Sequence, residues 1–420
     1  MARCGLKASA AARAREFGRE LFPGWEVAAA PGQGFCSYTL LLESGAWTRA
    51  GSDGGTGSQS SHDGGGSGGG GAGGSSAEGS QDDTGRSSEG SGDGMGRGGN
   101  GRRLIQFRPR RHGIDVRICG EARRVFGSGV VPDVQDLGVL GGLETLDGRN
   151  DGELCVYAME RVGGVSLAEF RKVAGDEGRR AGRRRVVADL AVLFGDSWRG
   201  RRDRDEVSEG RVGGSIAWRL GVLEGLPWEF GEVVRGLKKD LREIEGLPWV
   251  VTHGDLVAGN IMVYPGGKRA RDRDGGVVGV VDWAEAEWLP FGVGMYGLEE
   301  VLGEDVVVDD DDRGTRTRFE YYPEAKGLRA LFWDEVGRVV ADEAAVRLAK
   351  RAQVLGVLLW RGIAFDDGAL GRVVDEERDW WDSQRLRVWL FGEGGLGLEH
   401  PRRRRWWGSR AFRRVGRCCL

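Results

Sequence analysis

His253, Gly254 and Asp255 follow a short apolar run, Asn260 comes soon after, and Asp282 closes the second of two apolar segments downstream. Those residue types at that spacing suit phosphoryl transfer from a nucleotide triphosphate. The chemistry needs one carboxylate to orient an acceptor hydroxyl and take its proton. It also needs an oxygen ligand and a further carboxylate to hold Mg²⁺ against the phosphates. Mg²⁺ prefers hard oxygen donors and keeps few protein ligands, so one Asn and one Asp suffice.

Such residues act together only if the backbone returns on itself. Residues 261–264 and 277–281 read as two short strands joined by a polar tip, a β-hairpin. A hairpin brings its strand ends together, so Asp255, Asn260 and Asp282 can converge on one point. Around it, helical spacing recurs at residues 167–173, 183–194, 230–244, 327–340 and 344–365, with a charged loop at 199–214. Residues 309–312, four consecutive Asp, read as an acidic surface turn.

HGDLVAGN followed by VVDW resembles the catalytic signature of the aminoglycoside phosphotransferase family, within the protein-kinase-like fold. The matching residues are His253, Gly254, Asp255, Asn260, Asp282 and Trp283. GFCSYTLLL, LIQFRP and VDWAEAEWLPFG further resemble fungal members of unassigned substrate. The resemblance implies that Asp255 is the catalytic base, that Asn260 and Asp282 are the Mg²⁺ ligands, and that His253 braces the loop. Trp-Ala after Asp282, in place of Phe-Gly, argues against a protein kinase with a switching activation segment.

The N-terminal part reads as a small α+β unit. Residues 25–30 and 38–43 are expected strands around a glycine-bearing turn, followed by a strand at 103–108, a helix at 114–126 and a strand at 154–159. The resemblance implies that the turn, with Gly34 and Ser37, covers the nucleotide phosphates. It places Arg108 as the basic residue of the third strand, with Glu121 or Asp115 as its acidic partner. Residues 160–162, from Glu160 to Val162, become a hinge whose backbone reads adenine. An ordinary hairpin turn, a surface arginine and a plain linker are the alternatives at those positions.

Composition bounds the rest. A net charge of −3 gives no global field for nucleic acid or an anionic membrane. Scattered cysteines without zinc spacing, and an N-terminus without an apolar core, point to a soluble chain with free thiols in the cytoplasm. The Arg- and Ala-rich start offers a mitochondrial address or a first helix. Residues 51–101, Gly/Ser-rich and nearly devoid of apolar side chains, read as a disordered insertion. The basic C-terminus, from 401 on, reads as a solvated tail.

The expected fold is therefore α+β and two-lobed. A small β-rich N-lobe spans 1–162, and a larger, mainly helical C-lobe spans 163–400. The expected activity is an ATP- and Mg²⁺-dependent O-phosphotransferase with a small-molecule hydroxyl acceptor. The alternative is a non-catalytic nucleotide-binding or scaffold protein on the same fold. Glu285, Glu287, Glu299 and Glu300, downstream of Asp282, suit a cationic acceptor if they face it, or are solvated helix faces.

Overall fold

The computed structural model describes residues 1, 4–31, 33, 34, 37–44, 102–265, 275–310, 314–365 and 371–400. The expected insertion, the basic tail and part of the glycine-bearing turn (Gly32, Phe35, Cys36) lie outside the described residues.

The fold is β-rich at its N-terminal end and helical beyond. A first helix, α1 (Ser9–Leu21), leads into five antiparallel strands: β1 (Trp25–Ala29), β2 (Tyr38–Ser44), β3 (Arg102–Arg108), β4 (Val134–Leu143) and β5 (Gly152–Glu160). They lie in the order β1-β2-β3-β5-β4, with α2 (Val116–Phe126) inserted between β3 and β4. Strand alternation sorts the side chains. Leu40, Leu42, Ile105, Phe107, Leu154 and Val156 pack beneath α1. Gly18 of α1 faces Leu40, Ile105 and Val27, so the missing side chain lets the helix approach closely. Tyr157 and Met159 take the other face. They join Ile118, Cys119, Ala122 and Phe126 of α2 in a core that runs on into the helical part. By the same alternation Gln106 and Arg108 point to this inner face.

The helical part contains β6 (Val165–Ser166), α3 (Leu167–Val173), α4 (Asp176–Arg199), α5 (Ile216–Leu223), α6 (Gly231–Glu245), β7 (Trp249–Thr252), β8 (Ile261–Val263), β9 (Val277–Val280) and β10 (Glu287–Pro290). These are followed by α7 (Tyr296–Val301), β11 (Gly303–Asp310), β12 (Gly314–Tyr321), α8 (Ala325–Val340), α9 (Glu343–Arg361) and α10 (Trp380–Phe391). β8 pairs with β9 as the expected hairpin and with β6 on its other side; β7 pairs with β10. Among the described residues, no helix is long and apolar enough to cross a membrane.

Several elements depart from the sequence reading. β4 was not expected: its Gly138, Gly141 and Gly142 and two register shifts against β5 hide the strand pattern, and pairing overrides propensity. α4 begins at Asp176, because its Arg-rich first turns continue the helix beyond its apolar stripe. α5, α7 and α10 were also missed. The acidic turn at 309–312 overlaps the end of β11, where Asp309 pairs with Thr315 and Asp310 with Gly314.

Candidate active site

β7 delivers His253 into the interior, where its side chain is buried. Its Nε2 lies 2.9 Å from the carbonyl of Val281, and the N–H of Asp255 lies 3.2 Å from its Nδ1. A carbonyl can only accept and an amide N–H can only donate, so the ring carries its proton on Nε2. Its edge meets Trp283, centroids 4.6 Å apart. Burial pushes the imidazole pKa down, which keeps it neutral. His253 thus ties the start of the loop to the end of β9 and is not placed to carry a catalytic proton.

Gly254 has φ +80°, and a Cβ there would run into the carbonyl of Glu285. Both facts require glycine. Its own carbonyl accepts from Trp360 Nε1 at the end of α9. Leu256 N–H donates to the Tyr296 hydroxyl at 3.1 Å, and Tyr296 stacks on Trp360 at 4.5 Å. Trp360 and Tyr296 were not singled out from the sequence. They lie about 100 and 40 positions downstream, respectively, and no local pattern marks them.

Asp255 follows. Asn260 Nδ2 donates to its backbone carbonyl at 2.8 Å and to its Oδ2 at 3.0 Å. Burial raises the Asp255 pKa, and the negative charge of Asp282 raises it further; Arg361 and the Asn260 amide pull the other way. Asp282, at the end of β9, has φ 62° and ψ 62°, a left-handed conformation that side-chain-bearing residues seldom adopt. Its Oδ1 accepts from Arg108 Nη2 at 3.0 Å. The Oδ1 of Asn260 and the Oδ2 of Asp282 take no hydrogen bond among the described residues. This donor set, one amide oxygen and one carboxylate oxygen, fits Mg²⁺ better than a softer ion. Among the described residues no cluster of three His, Cys, Asp or Glu side chains offers a competing metal site.

Arg108 is 4% exposed. Its Nε and Nη1 are buried without partners among the described residues, and so is Oε1 of Gln106, two positions earlier on the same face of β3. Gln106 was missed in the sequence, although strand alternation from Arg108 would have found it.

The acidic partner expected on α2 does not reach Arg108. Glu121 pairs with Arg124 at 2.7 Å and Arg202 at 3.0 Å. Asp115 caps α2 and pairs with Arg117. Arg108 lies at the far end of β3 and turns inward to Asp282 instead.

At the expected hinge, the Glu160 carboxylate accepts from Arg123 and from the N–H of Asp133, each at 3.0 Å. Val162 borders a cleft of about 220 Å³ with Arg102, Val130, Pro132 and Val278. Ser37 is buried, and Gly34 lies against its hydroxyl: a Cβ on Gly34 would meet Ser37 Oγ. The turn is closed by Gln33, whose Oε1 accepts from the N–H of Thr39 at 2.7 Å. Gly34, Ser37, Glu160 and Val162 have no direct contact with Arg108 or Asp282 among these hydrogen bonds.

The four downstream acids are not a ring of free carboxylates. Glu287 accepts from the N–H groups of Val212 and Gly213. Glu299 pairs with Arg329, and Glu300 with Arg361 and Arg385. All three are buried, and only Glu285 is exposed. Glu287, Glu299 and Glu300 are neither solvated faces nor an acceptor-binding set, because each is engaged by partners inside the core.

Residues 128–293 match the model of the phosphotransferase enzyme family. That span contains residues 160–162, His253, Asp255, Asn260 and Asp282, and the family it matches is the one that the motif resembles; it says nothing of a fungal origin. Similar solved structures include the GDP complex of wild-type aminoglycoside 2'-phosphotransferase-IIIa: 12% identity, 91% of this chain and 98% of that one covered, TM-score 0.43. Another is ADP-bound aminoglycoside phosphotransferase APH(2'')-Ib: 11% identity, 92% and 99% covered, TM-score 0.40. No curated protein matches the chain.

Proposed function

We propose that this chain, with the phosphotransferase family pattern over residues 128–293, is an ATP- and Mg²⁺-dependent O-phosphotransferase acting on a small-molecule hydroxyl. The observation that carries the reading is the pairing of Asp255 with Asn260 on a braced loop, beside an Asp282 carboxylate with one oxygen free. In this reading Asp255 accepts the hydroxyl proton as the acceptor oxygen bonds to the γ-phosphorus and the bond to the leaving diphosphate breaks. Asn260 fixes the Asp255 carboxylate and, with Asp282, would hold Mg²⁺. When bound, the metal supplies positive charge against the phosphate oxygens. Arg108 adds a fixed cation beside Asp282. Gly34, Ser37 and the backbone of Glu160 and Val162 are proposed to hold the nucleotide. The lobe boundary is proposed near Val162, and the site is proposed to be intracellular.

A metabolite screen for Mg-ATP-dependent gain of one phosphoryl group tests this reading, with Asp255→Asn as the control. ATP binding without turnover across a broad acceptor panel would instead favour the scaffold reading. The observation behind that rival is Arg108 on the carboxylate that the metal needs.

A further inference from the structure

The strongest unclaimed feature is the state of Arg108. Its ion-pair partner is Asp282, the carboxylate that the proposed site requires for its metal. Its side chain is 4% exposed, and two of its three guanidinium nitrogens are buried without acceptors among the described residues. Buried N–H groups without partners are costly, so these donors call for an acceptor that the described residues do not supply. A polyphosphate supplies several charged oxygens, and the guanidinium fork suits them.

Nothing on α2 can draw Arg108 away. Glu121 and Asp115 are engaged by other arginines. The helix is fixed in the continuous core through Ile118, Cys119, Ala122 and Phe126. The choice for Arg108 is therefore between Asp282 and a ligand.

We propose that Arg108 is an internal counter-ion that keeps a divalent cation off Asp282 until a nucleotide's phosphates engage its guanidinium, so that metal and nucleotide bind as one unit. Two like charges on one carboxylate repel each other at short range. Phosphate oxygens between them remove that repulsion, and the coupling follows from charge alone. Arg108 acts here through Asp282, as a positioning residue. The proposal rests on the phosphotransferase reading of the site.

The test uses Mn²⁺ as the metal probe, with bound and free ion separated by electron paramagnetic resonance on the full chain. Without nucleotide, Arg108→Gln is expected to bind Mn²⁺ at least about fivefold tighter than the parent, because the competing charge is gone. Arg108→Lys keeps the charge and is expected to stay near the parent, which also guards against a misfolded Gln variant. With a non-hydrolysable ATP analogue, the gain in Mn²⁺ affinity is expected to shrink at least about fivefold in Arg108→Gln.

Equal Mn²⁺ affinity of parent and Arg108→Gln, or no Mn²⁺ binding by either, overturns the proposal while leaving the phosphotransferase reading intact if the analogue still binds. Tight Mn²⁺ binding by Arg108→Lys alone overturns it as well. A parent that binds no analogue at all overturns the phosphotransferase reading and the coupling with it.

Discussion

The loop from His253 to Asn260 and the inner face of β3 stand on opposite sides of the same site, and they are finished to different degrees. In the loop, both His253 nitrogens, the Gly254 carbonyl, the Leu256 N–H and the Asn260 amide have protein partners. On β3, Gln106 and Arg108 hold three buried polar atoms with none. A closed hydrogen-bond network costs little reorganisation during reaction, which suits the group that must aim a proton acceptor. Open donors on a buried cation suit the group that waits for a charged ligand. On the proposed function, the difference separates a preorganised catalytic side from a nucleotide side that is completed by what it binds.

The sharpest way to break this comparison is Asp255→Asn. Asn keeps the size and one acceptor but cannot take the proton. The expected kcat is lower by about 10²–10⁴-fold, with nucleotide affinity and melting temperature nearly unchanged. Turnover within about threefold of the parent would remove Asp255 as the base.

Asp282→Ala acts on the other side. Mg²⁺ is expected to lose its tightening effect on ATP binding, measured by titrating ATP with and without the metal. An undiminished Mg²⁺ effect would move the metal elsewhere. The variant also frees Arg108, so metal-free ATP affinity should hold or improve.

Trp360→Phe keeps the stack on Tyr296 and deletes one donor to the Gly254 carbonyl. If the loop depends on that brace, kcat falls by about tenfold, the worth of one hydrogen bond, while the nucleotide KM stays put. A change confined to KM would mean that Trp360 serves binding instead.

The pH dependence separates the two carboxylates more finely. Burial and the charge of Asp282 raise the Asp255 pKa, so kcat/KM should fall with acid at a pH above that of an ordinary aspartate. Neutralising the neighbour in Asp282→Asn should lower the Asp255 pKa, which carboxyl-carbon NMR can follow without turnover. An unmoved or rising value would show that the two groups do not feel each other.

The smallest effect is expected from deleting residues 52–100. Glu43 on β2 already pairs with Arg102 on β3, so a short turn can join the strands. The deleted tract has almost nothing apolar to bury, and the melting temperature should stay within about 2 °C. A larger drop would show that the tract packs on the body.

Local sequence carried the elements whose signal is local. The hairpin of β8 and β9, the glycine at 254 and the run from His253 to Asn260 are each readable from a few neighbouring residues. β4 was invisible because it owes its form to β5, and the glycines that interrupt its pattern are tolerated by that pairing. The strands β11 and β12 were passed over because their exposed, charged alternation resembles loop composition as much as strand.

Residue types and spacing by themselves brought Asp255, Asn260 and Asp282 toward one point, since a strand–turn–strand path leaves few ways to arrange them. For Arg108 they left a surface arginine open, and the fold turned it inward. Tertiary structure decided what each charge meets. Arg108 found Asp282, 174 positions away, in place of an acid on the next helix. Glu299 and Glu300, which follow Asp282 closely in sequence, were drawn into the core by Arg329, Arg361 and Arg385. Ion pairs are chosen by proximity after folding, and a buried charge must take a partner of opposite sign wherever the chain brings one.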